Sequence, residues 1–125
     1  MNKAIPHDSA KLHVTGEARY VDDIPLPAKT LHLAFGLSSI AKGQIKSIDL
    51  SAVREAPGVV DIILSKDLPF GNDVAPNAHD EPLLADVSVN FIGQPIFIVV
   101  ANSHMQARYA STLAVIEYAE EQPVI

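Results

Sequence analysis

This sequence predicts a mixed α+β domain, on three observations. Residues 96–101, IFIVVA, are an unbroken run of β-branched and aromatic residues. The run is too short for a globular helix and reads as a strand buried on both faces. Just beyond it, Met105, Tyr109 and Leu113 recur at i, i+4 and i+8, the buried stripe of a helix. Residues 31–38, LHLAFGLS, place Leu31, Leu33, Phe35 and Leu37 on one face at period two, the pattern of a further strand.

The elements follow in order along the chain. Residues 1–15 are polar and read as an irregular leader. His7, Asp8 and Ser9 have the residue types of a catalytic triad, but neighbours in sequence cannot adopt its geometry, so they read as a solvated loop. Residues 16–27 hold one aromatic anchor, Tyr20, and the paired acids Asp22 and Asp23. Two adjacent carboxylates supply too few oxygens for a hard cation and read as a turn whose Asp caps backbone N–H groups. In residues 31–38 the second face holds His32, Ala34, Gly36 and Ser38, small enough for close packing.

A second strand is predicted over residues 44–50. Ser51 is placed to cap a short helix over 52–56, and Pro57–Gly58 to end it. Residues 59–64 form the next strand and 65–68 a capped turn. Residues 70–82, FGNDVAPNAHDEP, are the longest stretch without periodicity. Long ordered loops carry function often. This one holds His79, Asp80 and Glu81, which have metal-ligand types but point in different directions as consecutive residues. Residues 83–87 read as a short strand. Gly93 and Pro95 punctuate the chain before the central run. Ser103 and Gln106 form a capping box. Ala107, Ala110 and Ala114 let the following helix lie close on a sheet, and residues 115–118 add a strand. Strand–helix–strand thus occurs twice, which implies right-handed parallel crossovers.

Bulk properties exclude several classes. The 125 residues fit one domain, and 48% apolar content supports a core. No apolar run approaches the ~20 residues that cross a bilayer, and the N-terminus lacks a signal-peptide core. A net charge of −6 without a basic cluster argues against nucleic acid and anionic membranes as partners. The absence of cysteine excludes disulfides, Cys-held iron–sulfur clusters and thiol catalysis within this chain, and accords with a cytoplasmic setting. There is no GxGxxG, GxxxxGK[ST] or HExxH. The nearest candidate for acid–base work, Glu117, lies at a strand edge. Residues 120–125 end on an apolar Pro–Val–Ile, as expected of a piece of a longer polypeptide. Val124, Ile125 and the small-residue face of residues 31–38 are expected to be exposed and to favour self-association.

Four colinear stretches carry a family resemblance: PHDSAKLHVTGEARYVDDIPLP, LHLAFGLSSIAKGQIKSIDLSAVREAPGVVDIILSKDLP, HDEPLLADVSVNFIGQPIFIVVA and MQARYASTLAVIEY. The distinctive pieces are Gly16 with Tyr20, Asp22 and Asp23; Ile48–Asp49 followed by Ala56–Pro57–Gly58–Val59; Asp80–Glu81; and Gly93–Gln94 before an apolar strand. Together they resemble the N-terminal domain of the molybdenum-binding large subunit of bacterial xanthine dehydrogenases, within the molybdenum hydroxylases that include aldehyde oxidases.

The resemblance implies an α/β-hammerhead: a small mixed sheet, partly antiparallel, with two helices packed on it and a long hairpin-like arm. It implies a complete enzyme that hydroxylates hypoxanthine and xanthine to urate with oxygen from water. Such an enzyme uses a molybdenum–pterin centre, two [2Fe–2S] clusters and FAD, with NAD as acceptor. Its catalytic and cofactor-binding residues lie in later domains or in the other subunit, so none is assigned to residues 1–125, and the isolated chain is expected to be inactive. The partners implied are the rest of the large subunit and the iron–sulfur/FAD subunit. The resemblance also brings the loop over residues 70–82 to the mouth of the substrate funnel, with Asn77 and Ala78 lining it and Asp80 and Glu81 aiming it. An alternative is a free-standing hammerhead module that grips a partner or small ligand with the same loop.

Overall fold

The computed structural model describes residue 5 and residues 7–123. The expectation for Val124 and Ile125 lies outside them. The chain divides into two compact units, Met1–Thr30 and Leu31–Ile125.

In the first unit, Ala10–Thr15 forms a short helix, α1, where an irregular leader was expected. Ala10, Lys11 and Leu12 favour helix. A run this short has no amphipathic stripe for periodicity to detect. Upstream, the His7 Nδ1 accepts the Ser9 backbone N–H at 3.1 Å, a local turn in place of any triad geometry. Val21–Asp23 is a single 3-10 turn, and Asp23 Oδ2 accepts the Tyr20 backbone N–H at 2.9 Å. The acid therefore caps the turn, as its position before Ile24–Pro25 implied. Tyr20 is exposed rather than an anchor.

Among the described residues the second unit holds six strands, two α-helices and a 3-10 turn over Ser65–Asp67: β1 (His32–Leu37), β2 (Gly43–Asp49), α2 (Ser51–Glu55), β3 (Val59–Leu64), β4 (Ser88–Val89), β5 (Pro95–Ala101), α3 (His104–Ser111) and β6 (Val115–Glu120). The strands make two three-stranded sheets, ordered β1-β5-β3 and β4-β2-β6, and every pairing is antiparallel. The α+β class is as expected. The single mixed sheet and the parallel crossovers are not. In β2-α2-β3 and again in β5-α3-β6, the helix carries the chain from one sheet to the other, so the flanking strands never pair. The crossover rule applies only to strands that share a sheet.

β5 is the central strand, and Ile96 through Ala101 are all buried. One face of its sheet meets the helices. Directly paired residues share a face, which puts Ala34, Val99 and Ile62 together, and Gly36 with Phe97 and Leu64. Phe97, Val99 and Ile62 join Val53 of α2 and Ala110 of α3 in the core, with Ile45, Ile48, Ile116 and Tyr118 of the second sheet packed against it.

The helix face corrects two expectations. The buried side of α3 is Ala107 and Ala110. Met105 and Tyr109 are 76% and 60% exposed, the reverse of the expected stripe. The alanines set a close approach to the sheet, and the long side chains point away from it. In β1 the close packing expected of the small-residue face holds, and its expected exposure does not. The small-residue face packs inward, and Leu33, Phe35 and Leu37 are 57%, 48% and 52% exposed. The small-residue face is therefore no candidate for self-association.

Caps differ in detail from the sequence reading. Asp49 Oδ1 accepts both the Ser51 N–H (2.9 Å) and the Ser51 Oγ–H (2.6 Å), so Asp49, not Ser51, caps α2. Those two bonds hold the Asp49 carboxyl below its ordinary pKa, the hydroxyl contributing most. Ser103 Oγ accepts the Gln106 N–H at 3.3 Å at the start of α3, one arm of the expected box. Residues 83–87 are not a strand; Leu84 and Ala85 are buried without a ladder, and the strand comes later, as β4.

Candidate functional site

The loop over residues 70–82 is closed at its base by side chains that act as backbone. The Asn72 Nδ2–H donates to the Leu84 carbonyl (2.6 Å), and Asn72 Oδ1 accepts the Leu84 N–H (2.8 Å). One amide side chain thus replaces a strand partner on both of its hydrogen bonds. Leu84 is fully buried, so the loop is tied to the packed interior. The Leu83 N–H donates to the Asn72 carbonyl (2.8 Å) and the Val74 N–H to the Glu81 carbonyl (2.9 Å). Asp73 and Pro82 form an antiparallel bridge, a small counterpart of the expected hairpin-like arm.

Asp73 shapes the loop above that base. Its Oδ1 accepts the Ala75 N–H at 2.9 Å, and its Oδ2 meets His79 Nδ1 at 2.6 Å. The Ala75 N–H is the main cause that holds the carboxyl below its ordinary pKa, with smaller help from His79 and the Glu81 N–H against some desolvation. The turn-capping expected of Asp80 and Glu81 is done in this loop by Asp73. The pattern Asp73–Val74–Ala75–Pro76 carries the signal that could have shown it, an Asp bonding its own backbone two residues on. His79 sits at φ 54° and turns towards Asp73. Among the described residues no three His, Asp or Glu side chains come together as metal ligands. Asn77 and Ala78 are exposed.

Glycine 93 and Gln94 form a second built feature. Gly93 has φ 83° and open space where a Cβ would stand, so its backbone conformation, not a close neighbour, calls for glycine. Gln94 is buried, and its Oε1 accepts the Asn90 N–H at 2.7 Å. Its carbonyl accepts the Ser38 N–H at 2.9 Å, and the Gly93 N–H donates to the Ser38 carbonyl at 2.9 Å. The pair fixes where β1 and β5 part, a structural task.

Sequence reasoning missed a groove of about 860 Å³ beside β1. Its lining includes Leu33, Phe35 and Leu37 of β1, His104 and Arg108 of α3, and Ile116 and Tyr118 of β6. Period two separates the two faces of β1 but does not say which of them stays open, so no signal pointed to a surface.

Comparison with known proteins locates this architecture. Residues 15–122 match the family described as aldehyde oxidase and xanthine dehydrogenase, a/b hammerhead domain. Xanthine dehydrogenase 1 of Arabidopsis thaliana is 44% identical over 119 residues, 95% of this chain. Aldehyde oxidase 2 of Macaca fascicularis is 42% identical over 125 residues, all of this chain. The chain spans 9% of the length of each of these relatives. Among solved structures, aldehyde oxidoreductase from Desulfovibrio gigas superposes with a TM-score of 0.84 at 32% identity, over 94% of this chain and 14% of that one. A fold of two three-stranded antiparallel sheets, with its loop tied down by Asn72 and its strand junction set by Gly93–Gln94, thus carries the match over residues 15–122, and the chain belongs to the aldehyde oxidase and xanthine dehydrogenase hammerhead family.

Proposed function

We propose that the chain is the N-terminal structural domain of the molybdopterin-binding subunit of a cytoplasmic xanthine dehydrogenase. The complete enzyme hydroxylates hypoxanthine and xanthine to urate with oxygen from water, in purine catabolism. The observation that carries this reading is the 44% identity to a xanthine dehydrogenase along 95% of the chain. Its partners in this reading are the rest of the large subunit and the subunit that holds the iron–sulfur clusters and FAD.

The residues present do not fit the iron–sulfur clusters of such an enzyme. Iron–sulfur clusters need thiolates, and the chain has no cysteine. In this reading the molybdenum–pterin, FAD and NAD belong to other parts of the enzyme, and no catalytic step is assigned to residues 1–125. The chain's own contribution is the loop over residues 70–82. Its base is held by Asn72 and Asp73, which leaves Asn77 and Ala78 exposed on a fixed support. In this reading those two residues line the mouth of the substrate funnel.

The substrate is tested by assaying the complete enzyme with xanthine and with an aromatic aldehyde, NAD as acceptor. Faster turnover of xanthine supports the reading, and turnover of the aldehyde alone refutes it. Ala78→Trp in the same enzyme tests the funnel. A lining residue lowers kcat/KM while the molybdenum centre stays assembled by its absorbance. Unchanged kinetics end that assignment.

A further inference from the structure

We propose that β1 receives an extended segment of the remaining enzyme polypeptide as an added strand, seated in the groove beside it. The proposal rests on the domain reading above and names the surface by which the domain joins the rest.

An unpaired edge strand is a template for another chain, and proteins normally blunt it with charge, shortness or a bulge. Three of the four edges here are managed so. β4 has two residues. β6 carries Glu117 and Glu120, and Glu117 accepts the Ser47 hydroxyl. β3 is bulged between Val59 and Asp61 and carries that acid; the cleft beside it is lined by Arg54, Lys66 and Asp67. β1, HLAFGL, has no formally charged residue and no proline. Its one register shift comes at the far end, between Gly36 and Leu37. Among the described residues its ladder pairs with β5 alone.

The side chains around that edge are apolar too. Leu33 and Phe35 face away from the helices, across from Val100 and Ile98, which stand outside the main core cluster. Ile98 and Val100 are themselves buried, while Leu33 and Phe35 on the edge strand are 57% and 48% exposed and line the groove. Strand addition uses both: main-chain hydrogen bonds give affinity, and alternate side chains fill pockets. Arg108 lines the groove and has no ion-pair partner among the described residues. The incoming segment is therefore extended, with apolar residues at every second position and a carboxylate opposite Arg108. The occupant is taken from the same enzyme because this chain makes up 9% of its relatives' length, which leaves most of the polypeptide available to cover it.

Amide hydrogen exchange tests this, on the 125-residue chain alone and mixed with the rest of the large subunit made as a separate chain. The expected result is at least tenfold slower exchange of β1 amides in the mixture. Phe35→Lys and Arg108→Glu, both with the circular dichroism of the unaltered chain, each weaken that protection tenfold or more. Protection confined to other surfaces, such as Met105 and Tyr109, overturns the strand-addition proposal and leaves the domain reading standing. No protection anywhere overturns both. Protection of β1 in the chain alone that grows with its concentration assigns the edge to a second copy and overturns the proposed occupant.

Discussion

The ring of Phe97 fills the space in which a Cβ on Gly36 would stand. The two residues are paired across β1 and β5, and Phe97 is completely buried. A methyl group there must displace that buried ring. Gly36→Ala is expected to destabilise the domain by about 1–3 kcal/mol, the usual cost of overpacking. Denaturant unfolding of the purified chain measures it. An unchanged midpoint would mean that β1 slides away from β5 without strain.

Gly93 offers a contrasting case, because nothing crowds it. Its φ of 83° alone opposes a side chain. Gly93→Val is expected to cost about 1–3 kcal/mol through backbone strain. Gly93→Asn should cost less, since asparagine tolerates this region. Equal melting temperatures for the two variants would count against a conformational cause.

Asn72 makes two hydrogen bonds to a fully buried residue. Asn72→Ala leaves the Leu84 N–H and carbonyl without those partners. The expected loss is about 1–3 kcal/mol, the penalty for unsatisfied buried groups. Proteolysis within residues 70–82 should accelerate as well. Resistance equal to that of the unaltered chain would show that the loop is held by other means.

Asp49 and Asp73 both titrate below the ordinary carboxylate value of 3.8. A carboxyl with a lower pKa in the folded state adds stability above its unfolded pKa, and the contribution fades as pH falls through the folded value. Unfolding midpoints should therefore drop as pH falls below about 3.8. Asp49→Ala should lower the midpoint at pH 7 and converge on the unaltered chain at the acid end. A constant difference across the whole range would assign the effect to packing instead.

Periodicity located most elements because strand and helix periods depend on local sequence alone. Strands β1, β2, β3, β5 and β6 and both helices of the second unit stand within a few residues of their expected places. What local pattern could not show was which face turns inward. In β1 the pattern separates Leu33 and Phe35 from the small residues without saying which side is covered. The actual choice was made across the sheet by Phe97, which fits only over Gly36. The same holds in α3, where Ala107 and Ala110 permit an approach that Met105 and Tyr109 would prevent. In the candidate loop, the sequence drew attention to His79, Asp80 and Glu81. The work of closure falls to Asn72 and Asp73, whose partners lie up to 12 residues away.

No two strands that follow one another along the chain are paired with each other. β1 waits for β5, β3 also waits for β5, and β2 is joined by β4 and then β6. The bond from Ser47 to Glu117 spans 70 residues. There is accordingly no hairpin among these strands that could form early and serve as a seed. Loop closure over such separations must come before its reward, which slows folding. On a ribosome, the first sheet cannot begin until β5 has emerged, and the second is incomplete until β6 follows. Until then β1 is a bare apolar strand on the emerging chain, so this is the stage at which a chaperone would matter most.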